Sequence, residues 1–207
     1  MTTKTTQKDD DAIAFARIEK LFRTLPSVDA SSIRSTTLPQ SELQLNANIF
    51  AFHNVGLPGQ ASDGHGPWAH TVGNRLRIVQ LDVHGDRAEA VVETEVTNDM
   101  CNVFGSMAGS CGAYLFDHVS AGTMVCLGRA KGFDGRGLST TMNIHWHGAA
   151  TAGTTLLIST HTLFHSSHTR TRSCLVRGEI REKHTGRLIL SGTHGFVNAG
   201  RARESKL

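Results

Sequence analysis

The sequence lacks a long apolar run, a paired cysteine motif and a large excess of charge of either sign. No stretch of its 207 residues reaches the roughly 18 consecutive apolar residues that a membrane span needs, so we expect no such span. The net charge is only +3, from 21 Lys and Arg against 18 Asp and Glu, and no basic run predicts a nucleic-acid interface. The four cysteines form no CxxC pair, which predicts reduced thiols rather than disulfides.

Two further absences concern targeting and metal binding. Residues 1–11 are polar and have neither the apolar core of a secretory signal nor the Arg-rich pattern of a transit peptide. Twelve histidines are present, but no HExxH motif and no Cys/His ligand spacing accompanies them. We therefore predict no metal and no cofactor.

The N-terminal third, residues 1–74, is expected to be a leader with little regular structure. Its first part, residues 1–11, is predicted to be disordered. Apolar residues at helical spacing then predict a helix over Ala12–Leu25, capped by Asp10 or Asp11. The remainder is rich in Ser, Thr, Gly, Asn and Pro, and is expected to be irregular with a short helix.

Residues 75–198 form the densest pattern and predict one domain of the α+β class. The predicted elements are strands over Leu76–Val83 and Ala88–Val96, a helix over Met107–Leu127, and strands over Leu138–Trp146, Thr154–Phe164, Thr171–Arg181 and Arg187–Val197. Consecutive strands with short turns are expected to be antiparallel. The helix is apolar on nearly every side, which favours an antiparallel sheet of five to six strands wrapped around it.

The predicted central helix contains a single carboxylate, Asp117. A buried unpaired charge is costly, so such a group is usually paired, shifted in pKa or functional. Alternatively, Asp117 lies at an exposed edge of the helix or pairs with His118 or an arginine.

The segment that leads into this helix contains Asn102, Gly105, Ser106 and Gly109. Free N–H groups at a helix N-terminus suit an anion or a developing oxyanion, and glycine lets a ligand approach the backbone. A turn that needs glycine for steric reasons alone would explain the same residues.

The spacing of the two features carries a structural consequence. Asp117 lies eight residues beyond Gly109, which is roughly 12 Å along a helix axis. One carbonyl group cannot contact both positions of the same helix. If both residues act on one substrate, Asp117 must come from a second copy of the chain.

Two runs resemble a known family. One run extends from Asn102 to Asp117 and reads NVFGSMAGSCGAYLFD, and the other is Leu138–Trp146. Both resemble the signatures of hot-dog-fold acyl-CoA thioesterases of the PaaI-like group. The resemblance covers roughly residues 75–198, a little over half the chain, and none of the leader. It implies a hot-dog fold, with a sheet wrapped around the central helix, and a homodimer or homotetramer.

The resemblance also implies roles for four residues in hydrolysis of an acyl-CoA. The Gly109 N–H would polarise the thioester carbonyl, and Asn102 would help to position that carbonyl or the water. Asp117 of a partner subunit would act as general base or nucleophile, and Ser139 would orient the water. A thioester needs an oxyanion site and a base but no metal.

Coenzyme A phosphates are expected near the turns after the third and fourth strands. Basic and polar side chains there suit a pyrophosphate. The candidate binding residues are His147, His165, Ser166, His168 and Arg170; ordinary solvated turns are the alternative.

The sequence departs from the family pattern at three positions. Ala108 replaces the usual His before the first Gly, Ser110 replaces the second Gly, and Thr141 replaces an acidic residue of the next strand. Two other functions therefore stay open: a hot-dog enoyl-CoA hydratase, disfavoured by Ala108, and a catalytically degenerate module that binds acyl-CoA or a partner protein. The acyl group is not specified by the sequence.

The polar tail, residues 199–207, ends in Ser205, Lys206 and Leu207, the tripeptide read by the peroxisomal import receptor. We therefore expect a peroxisomal location. Deleting these three residues should leave a fluorescently tagged protein in the cytosol without unfolding it, because a polar tail adds nothing to a core. Continued import in cells that contain no intact copy of the chain would contradict this expectation.

Overall fold

The structure, a computed structural model, describes residues 7–56, 68–166 and 171–199, without the side chains of residues 7–14, 171, 172, 198 and 199. Its helices are α1 (Gln7–Phe22), α2 (Gln40–Val55), α3 (His70–Gly73) and α4 (Gly109–Lys131). Its strands are β1 (Arg77–His84), β2 (Arg87–Glu95), β3 (Leu138–Trp146), β4 (Thr155–His165), β5 (Thr171–Glu182) and β6 (Leu188–Ala199). The fold is α+β, as predicted.

The strands form a six-stranded sheet in the order β1-β2-β4-β5-β6-β3, and every neighbouring pair is antiparallel. Consecutive strands are antiparallel, as expected, but β3 and β4 do not pair with each other. β3 hydrogen-bonds to β6 at one edge, whereas β4 lies between β2 and β5. The connection over residues 147–154 therefore crosses from the edge to the interior of the sheet, a step that turn length alone does not reveal.

β2 shows how the alternating pattern becomes one buried face. Ala88, Ala90 and Val92 are at most 5% exposed, and Thr94 and Val96 continue the series. The intervening residues Arg87, Glu89 and Glu95 are exposed. A strand with this period places its apolar side chains on the face that packs against α4.

α4 is the central element, and the concave face of the sheet packs on it. Leu115, Phe116 and Leu127 are fully buried at 0% exposure, and Phe116 shares its cluster with residues of β2, β4, β5 and β6. The helix begins two residues later than predicted, because the Met107 N–H donates to the Ala150 carbonyl and the Ala108 N–H donates to the Met100 carbonyl, both outside the helix. It ends at Gly132, whose φ of 73° is the left-handed conformation that glycine adopts at helix ends.

The N-terminal helix differs from the prediction at both ends. It starts at Gln7 and ends at Phe22, so Asp10 and Asp11 lie inside its first turns rather than capping it. Residues 7–11 are helical, not disordered, and residues 1–6 lie outside the described chain. Acidic residues in a first turn favour a helix through its dipole, which extends it beyond the apolar pattern.

The leader contains a much longer helix than the short one predicted. α2 has 16 residues, and its buried side includes Leu43, Ile49 and Phe50 but also Asn46 and Asn54. Polar residues on the buried side obscure a helical hydrophobic pattern. Contacts with α1 on one side and α4 on the other make this wide buried face possible.

Two charged groups attach the leader to the domain. The Arg129 side chain, 5% exposed near the end of α4, forms ion pairs with Glu19 and Glu42 from α1 and α2. On β1, burial opposes ionisation of Asp82, but hydrogen bonds from the Thr36 N–H, Gln80 and Ser35 hold its pKa far below the usual range. These charged groups face opposite charges or hydrogen-bond donors of the leader, which gives them a structural role.

The four cysteines are free, as predicted. Among the helices of the described residues, none is long and apolar enough to cross a membrane.

The loop after α4 folds back across the last turns of that helix and thereby places the start of β3. A Cβ on Gly135 would lie 2.1 Å from the Met124 carbonyl oxygen, which is a backbone atom that cannot turn aside. We expect Gly135→Ala to lower the free energy of unfolding by about 3 kcal/mol, measured by urea denaturation.

Gly109→Ala is the matched control for this substitution. The nearest atom to its added Cβ is a Trp146 ring carbon at 3.7 Å, an ordinary contact, so its stability should equal or slightly exceed that of the wild type. Equal stability of the two variants would contradict this prediction and show that the loop shifts to accommodate the added methyl group.

Candidate active site

The loop that enters α4 is organised by one side chain, Asn102. Its Oδ1 accepts a hydrogen bond from the Phe104 N–H at 2.9 Å, and its backbone N–H donates to the Ser106 carbonyl at 2.8 Å. Gly105 closes the turn with a φ of 76°. Because Oδ1 serves the turn, the exposed side-chain amide of Asn102 can present its N–H₂ group as a donor.

The first turn of α4 presents backbone donors to solvent. The Ala108 N–H bonds to the Met100 carbonyl at 2.9 Å, and the Gly112 N–H bonds to the Ala108 carbonyl at 3.1 Å. Between them, within the described residues, Gly109 and Ser110 are exposed and their N–H groups have no backbone acceptor. Such donors at the positive end of a helix suit an oxyanion.

Trp146 flanks these donors and was not identified from the sequence as a site residue. Its indole ring lies across the first turn of α4, 3.7 Å from the position of a Cβ on Gly109 and 3.5 Å from one on Gly112. The side chain is half exposed. The indole therefore lies against the first turn of α4 and forms one wall beside the Gly109 N–H.

Asp117 lies on the second turn beyond these donors, and its side chain is 40% exposed. Its Oδ1 is 3.5 Å from Nδ1 of His194, and its Oδ2 is 3.9 Å from Nδ1 of His118. Partial burial raises the pKa of Asp117, and the His194 imidazole opposes that shift. The carboxylate thus combines an accessible face with a raised pKa, as a general base requires.

His194 is a further site residue that sequence reasoning missed. It lies on β6 with 0% exposure, and its Nδ1 is 2.7 Å from Oγ of Ser120, itself fully buried on α4. A sequence signal existed, because His194 takes an inward position in the same alternating series as Leu190 and Phe196.

The sheet register confirms that the two functional positions of α4 are separated in one chain. Trp146, beside Gly109, pairs with Leu190, whereas Met142 pairs with His194, which contacts Asp117. Met142 and Trp146 are four residues apart on β3, so the two pairs lie roughly 13 Å apart along the strand, in agreement with the helical spacing.

Ser139, the predicted water-orienting residue, lies exposed at the start of β3. It pairs with Phe196, two residues beyond His194 on β6. Directly opposed residues share a face of the sheet, so Ser139 belongs to the face that carries Phe196 and packs towards α4. It therefore lies on the Asp117 side of the site, away from the Gly109 end.

Among the predicted coenzyme A residues that the structure describes, His147 lies far from His165 and Ser166 in one chain. His147, exposed, lies at the Gly109 end, where its Nε2 is 2.8 Å from Oγ of Ser191. His165 lies at the other end of the sheet, where the paired residues of neighbouring strands are Cys174, Phe196 and Ser139. Along the strands this is roughly 23 Å from His147.

His165 is also less accessible than a phosphate-binding rim requires. Its side chain is 14% exposed, stacks on Phe133 with ring centroids 5.6 Å apart, and has Nε2 3.9 Å from the Asp86 carboxylate. Ser166 follows it at the end of β4 and bonds to Ser173 across the turn. The other two predicted residues, His168 and Arg170, lie outside the described residues.

In the part of the chain that the structure describes, no group of three His, Cys, Asp or Glu side chains is placed to hold a metal ion. The donors and the carboxylate of this site consist only of protein groups.

No protein-family model matches the sequence, and no curated protein matches it by sequence. Solved structures do match the fold. Thioesterase superfamily member 2 from zebra fish has a TM-score of 0.55 and 22% identity, covering 73% of this chain and 94% of its own. The Mus musculus member 2 has a TM-score of 0.51 and 24% identity, covering 61% of this chain and 84% of its own.

A hypothetical thioesterase protein from Streptococcus pneumoniae, solved with coenzyme A, has a TM-score of 0.50 and 22% identity, covering 62% of this chain and 90% of its own. At these identities the matches establish the fold. The chain has the hot-dog fold, as its motifs predicted, with α1 as an addition to the α4-and-sheet unit.

Proposed function

We propose that this protein hydrolyses an acyl-CoA thioester to a free acid and coenzyme A, at a site shared between two subunits. The observation that carries the proposal is the placement of solvent-facing N–H donors and an accessible carboxylate about 12 Å apart on one helix. A second copy of α4, running antiparallel, would bring Asp117 of the partner subunit to Gly109.

The residues of the site support each step of the hydrolysis. The thioester oxygen accepts from the Gly109 N–H and the Asn102 amide, which polarises the carbonyl carbon. The partner's Asp117 takes a proton from a water held with the help of the partner's Ser139, and the water oxygen bonds to that carbon. The tetrahedral oxyanion then collapses, the carbon–sulfur bond breaks, and the thiolate leaves and takes up the proton.

The single chain leaves apolar surface beside these groups. Val103 and Phe104 are 94% and 89% exposed on the turn that Asn102 organises. β3 is an edge strand that pairs only with β6 among the described strands, and on it Leu138 is 70% exposed and Trp146 is 52% exposed. Large exposed apolar side chains and a free sheet edge are features of a surface that a partner covers.

Coenzyme A as the thiol component is supported by the Streptococcus pneumoniae structure, which was solved with that molecule. In an antiparallel pair of α4 helices, His147 of one protomer would lie at the same end of the pair as Ser166 of the partner subunit, so that both protomers would contribute to the phosphate site. A peroxisomal location remains part of the proposal.

The test is release of free thiol from a panel of acyl-CoA substrates, followed with a colorimetric thiol reagent. We expect turnover that requires no added metal. Loss of enoyl thioester absorbance without thiol release would instead indicate a hydratase, and binding of acyl-CoA without either reaction would indicate a binding module. Either result would overturn the proposed hydrolysis.

A further inference from the structure

His194 is a buried polar group that the proposed chemistry does not use. Its side chain is fully inaccessible, and its Nε2 has no hydrogen-bond partner within the described residues. The imidazole ring as a whole packs against phenyl rings, with the Phe196 ring centroid at 3.8 Å and the Phe116 ring centroid at 6.4 Å. An orphaned buried polar atom costs stability, so a phenyl ring would suit this pocket better than an imidazole.

The contacts of Ser120 assign the proton of the imidazole to Nδ1. The Ser120 hydroxyl donates to the Phe116 carbonyl at 2.7 Å and has the Asp117 carbonyl at 2.9 Å. Its oxygen is then free to accept from Nδ1–H of His194, at 2.7 Å. The opposite tautomer would bury an N–H donor among phenyl rings, which is the costlier arrangement.

In this tautomer Nδ1–H is donated to Ser120, and the positive end of the imidazole dipole lies beside the Asp117 carboxylate. Nδ1 of His194 lies 3.5 Å from Oδ1 of Asp117, which is longer than a hydrogen bond but close enough for a strong dipolar interaction in a half-buried site. Burial lowers the pKa of His194, so the ring is neutral at pH 7 and supplies a dipole rather than a charge.

The arrangement is not a Ser-His-Asp triad. Ser120 and Asp117 both approach the same ring nitrogen, whereas a triad uses one nitrogen for each partner. Ser120 is 0% exposed and cannot reach a substrate. The cluster therefore acts on Asp117, and not on the substrate directly.

We propose that His194 is a positioning residue whose Nδ1–H, fixed by Ser120, stabilises the anionic form of Asp117 and orients its accessible oxygen towards the partner subunit. The inference rests on the proposed function, in which Asp117 takes the proton of the attacking water. His194 stays neutral and takes no proton, because the only free lone pair of its ring faces the core.

Among the described residues, two other titratable groups face Asp117, both from α4. His118 has Nδ1 3.9 Å from Oδ2, and burial lowers its pKa, so it too is neutral at pH 7. Tyr114 stacks on His118 with ring centroids 4.2 Å apart, and burial raises its pKa. Neither carries a charge between pH 7 and 9, so a change in that range reports on the carboxylate and its His194 contact.

The test compares the pH dependence of kcat/KM for wild type, His194→Phe and His194→Asn. His194→Phe keeps Asp117 half-buried but removes the Nδ1–H donor beside it. The acidic limb of the pH profile of this variant should therefore move upwards by about one pH unit. At a pH on this limb, activity should then fall up to about tenfold below that of wild type, and the two activities should converge as the pH rises. His194→Asn, whose amide places an N–H near the Nδ1 position, should return the limb towards wild type.

Thermal stability separates positioning from packing. His194→Phe removes the orphaned Nε2 but also the hydrogen bond between Ser120 and Nδ1, so its melting temperature should stay close to that of wild type. His161→Phe is the matched control: His161 is half-buried on β4 in the row of Glu89 and Arg177, on the sheet face away from α4, and its pKa is also lowered by burial. This control should leave the limb unchanged.

A loss of activity equal at all pH values, or an acidic limb that does not move, would overturn the inference. A titration of the Asp117 carboxyl carbon by NMR tests it without turnover. If no acyl-CoA is hydrolysed, the proposed function fails, yet an upward shift of that titration in His194→Phe would still establish the His194–Asp117 link. An unshifted titration would overturn the link whatever the activity.

Discussion

Asp117→Asn should lower the turnover number by about two to four orders of magnitude while acyl-CoA binding and melting temperature stay near wild type. Asparagine keeps the size and the hydrogen-bonding capacity of aspartate but cannot accept the proton of the attacking water. Because the wild-type side chain is 40% exposed, the fold loses no buried ion pair when the charge is removed. Steady-state kinetics and calorimetric melting measure the two effects.

The matched control is Asp86→Asn. Asp86 is 75% exposed and pairs with Lys131 at the other end of α4. A surface pair of this kind contributes little, so neither activity nor stability should change by a measurable amount. A stability loss in Asp117→Asn, with activity that falls only in proportion to folded protein, would assign Asp117 a structural role instead.

Mixing two inactive variants should restore activity if the site is shared between subunits. Asp117→Asn keeps a sound Gly109 side but has no base. Gly109→Val keeps the base but blocks the approach of the carbonyl, and the exposed position of Gly109 lets the variant fold. Co-refolded, the two form hybrid dimers with one intact site and one doubly defective site, which should show up to about half the wild-type activity per dimer.

Native mass spectrometry should confirm that hybrid dimers form before their activity is interpreted. Hybrids of the correct mass that stay inactive would reject a shared site even if Asp117 itself proved essential. A stable monomer with full activity, seen by light scattering at micromolar concentration, would reject it as well.

The interior of the domain could be predicted closely from the sequence, because local patterns determine it. The period of two in β2 gave the buried series Ala88, Ala90 and Val92, and the bounds Leu138–Trp146 of β3 coincide with the prediction. The errors lie where context outweighs pattern. α2 buries asparagines between two other helices, and the first helix extends into acidic residues that its dipole accommodates.

The candidate residues Gly109 and Asp117 were also predicted from the sequence, but the side chains that contact them were not. Gly109 and Asp117 stand out because glycine at a helix entrance and a carboxylate in an apolar helix are local exceptions. Trp146 and His194 contact them from strands that lie 37 and 77 residues further along the chain (146 − 109 and 194 − 117). Contacts over such separations depend on which strands pair, and the crossing of β3 to the sheet edge is invisible to local pattern.

The sequence by itself thus determined the class of elements, their order and the 12 Å separation of donor and base, since each follows from the fixed rise and period of helices and strands. Only the tertiary structure decided that β3 joins β6, which places Trp146 over the first turn of α4. It alone also placed the imidazole of His194 against Asp117, because burial and proximity are properties of the packed chain.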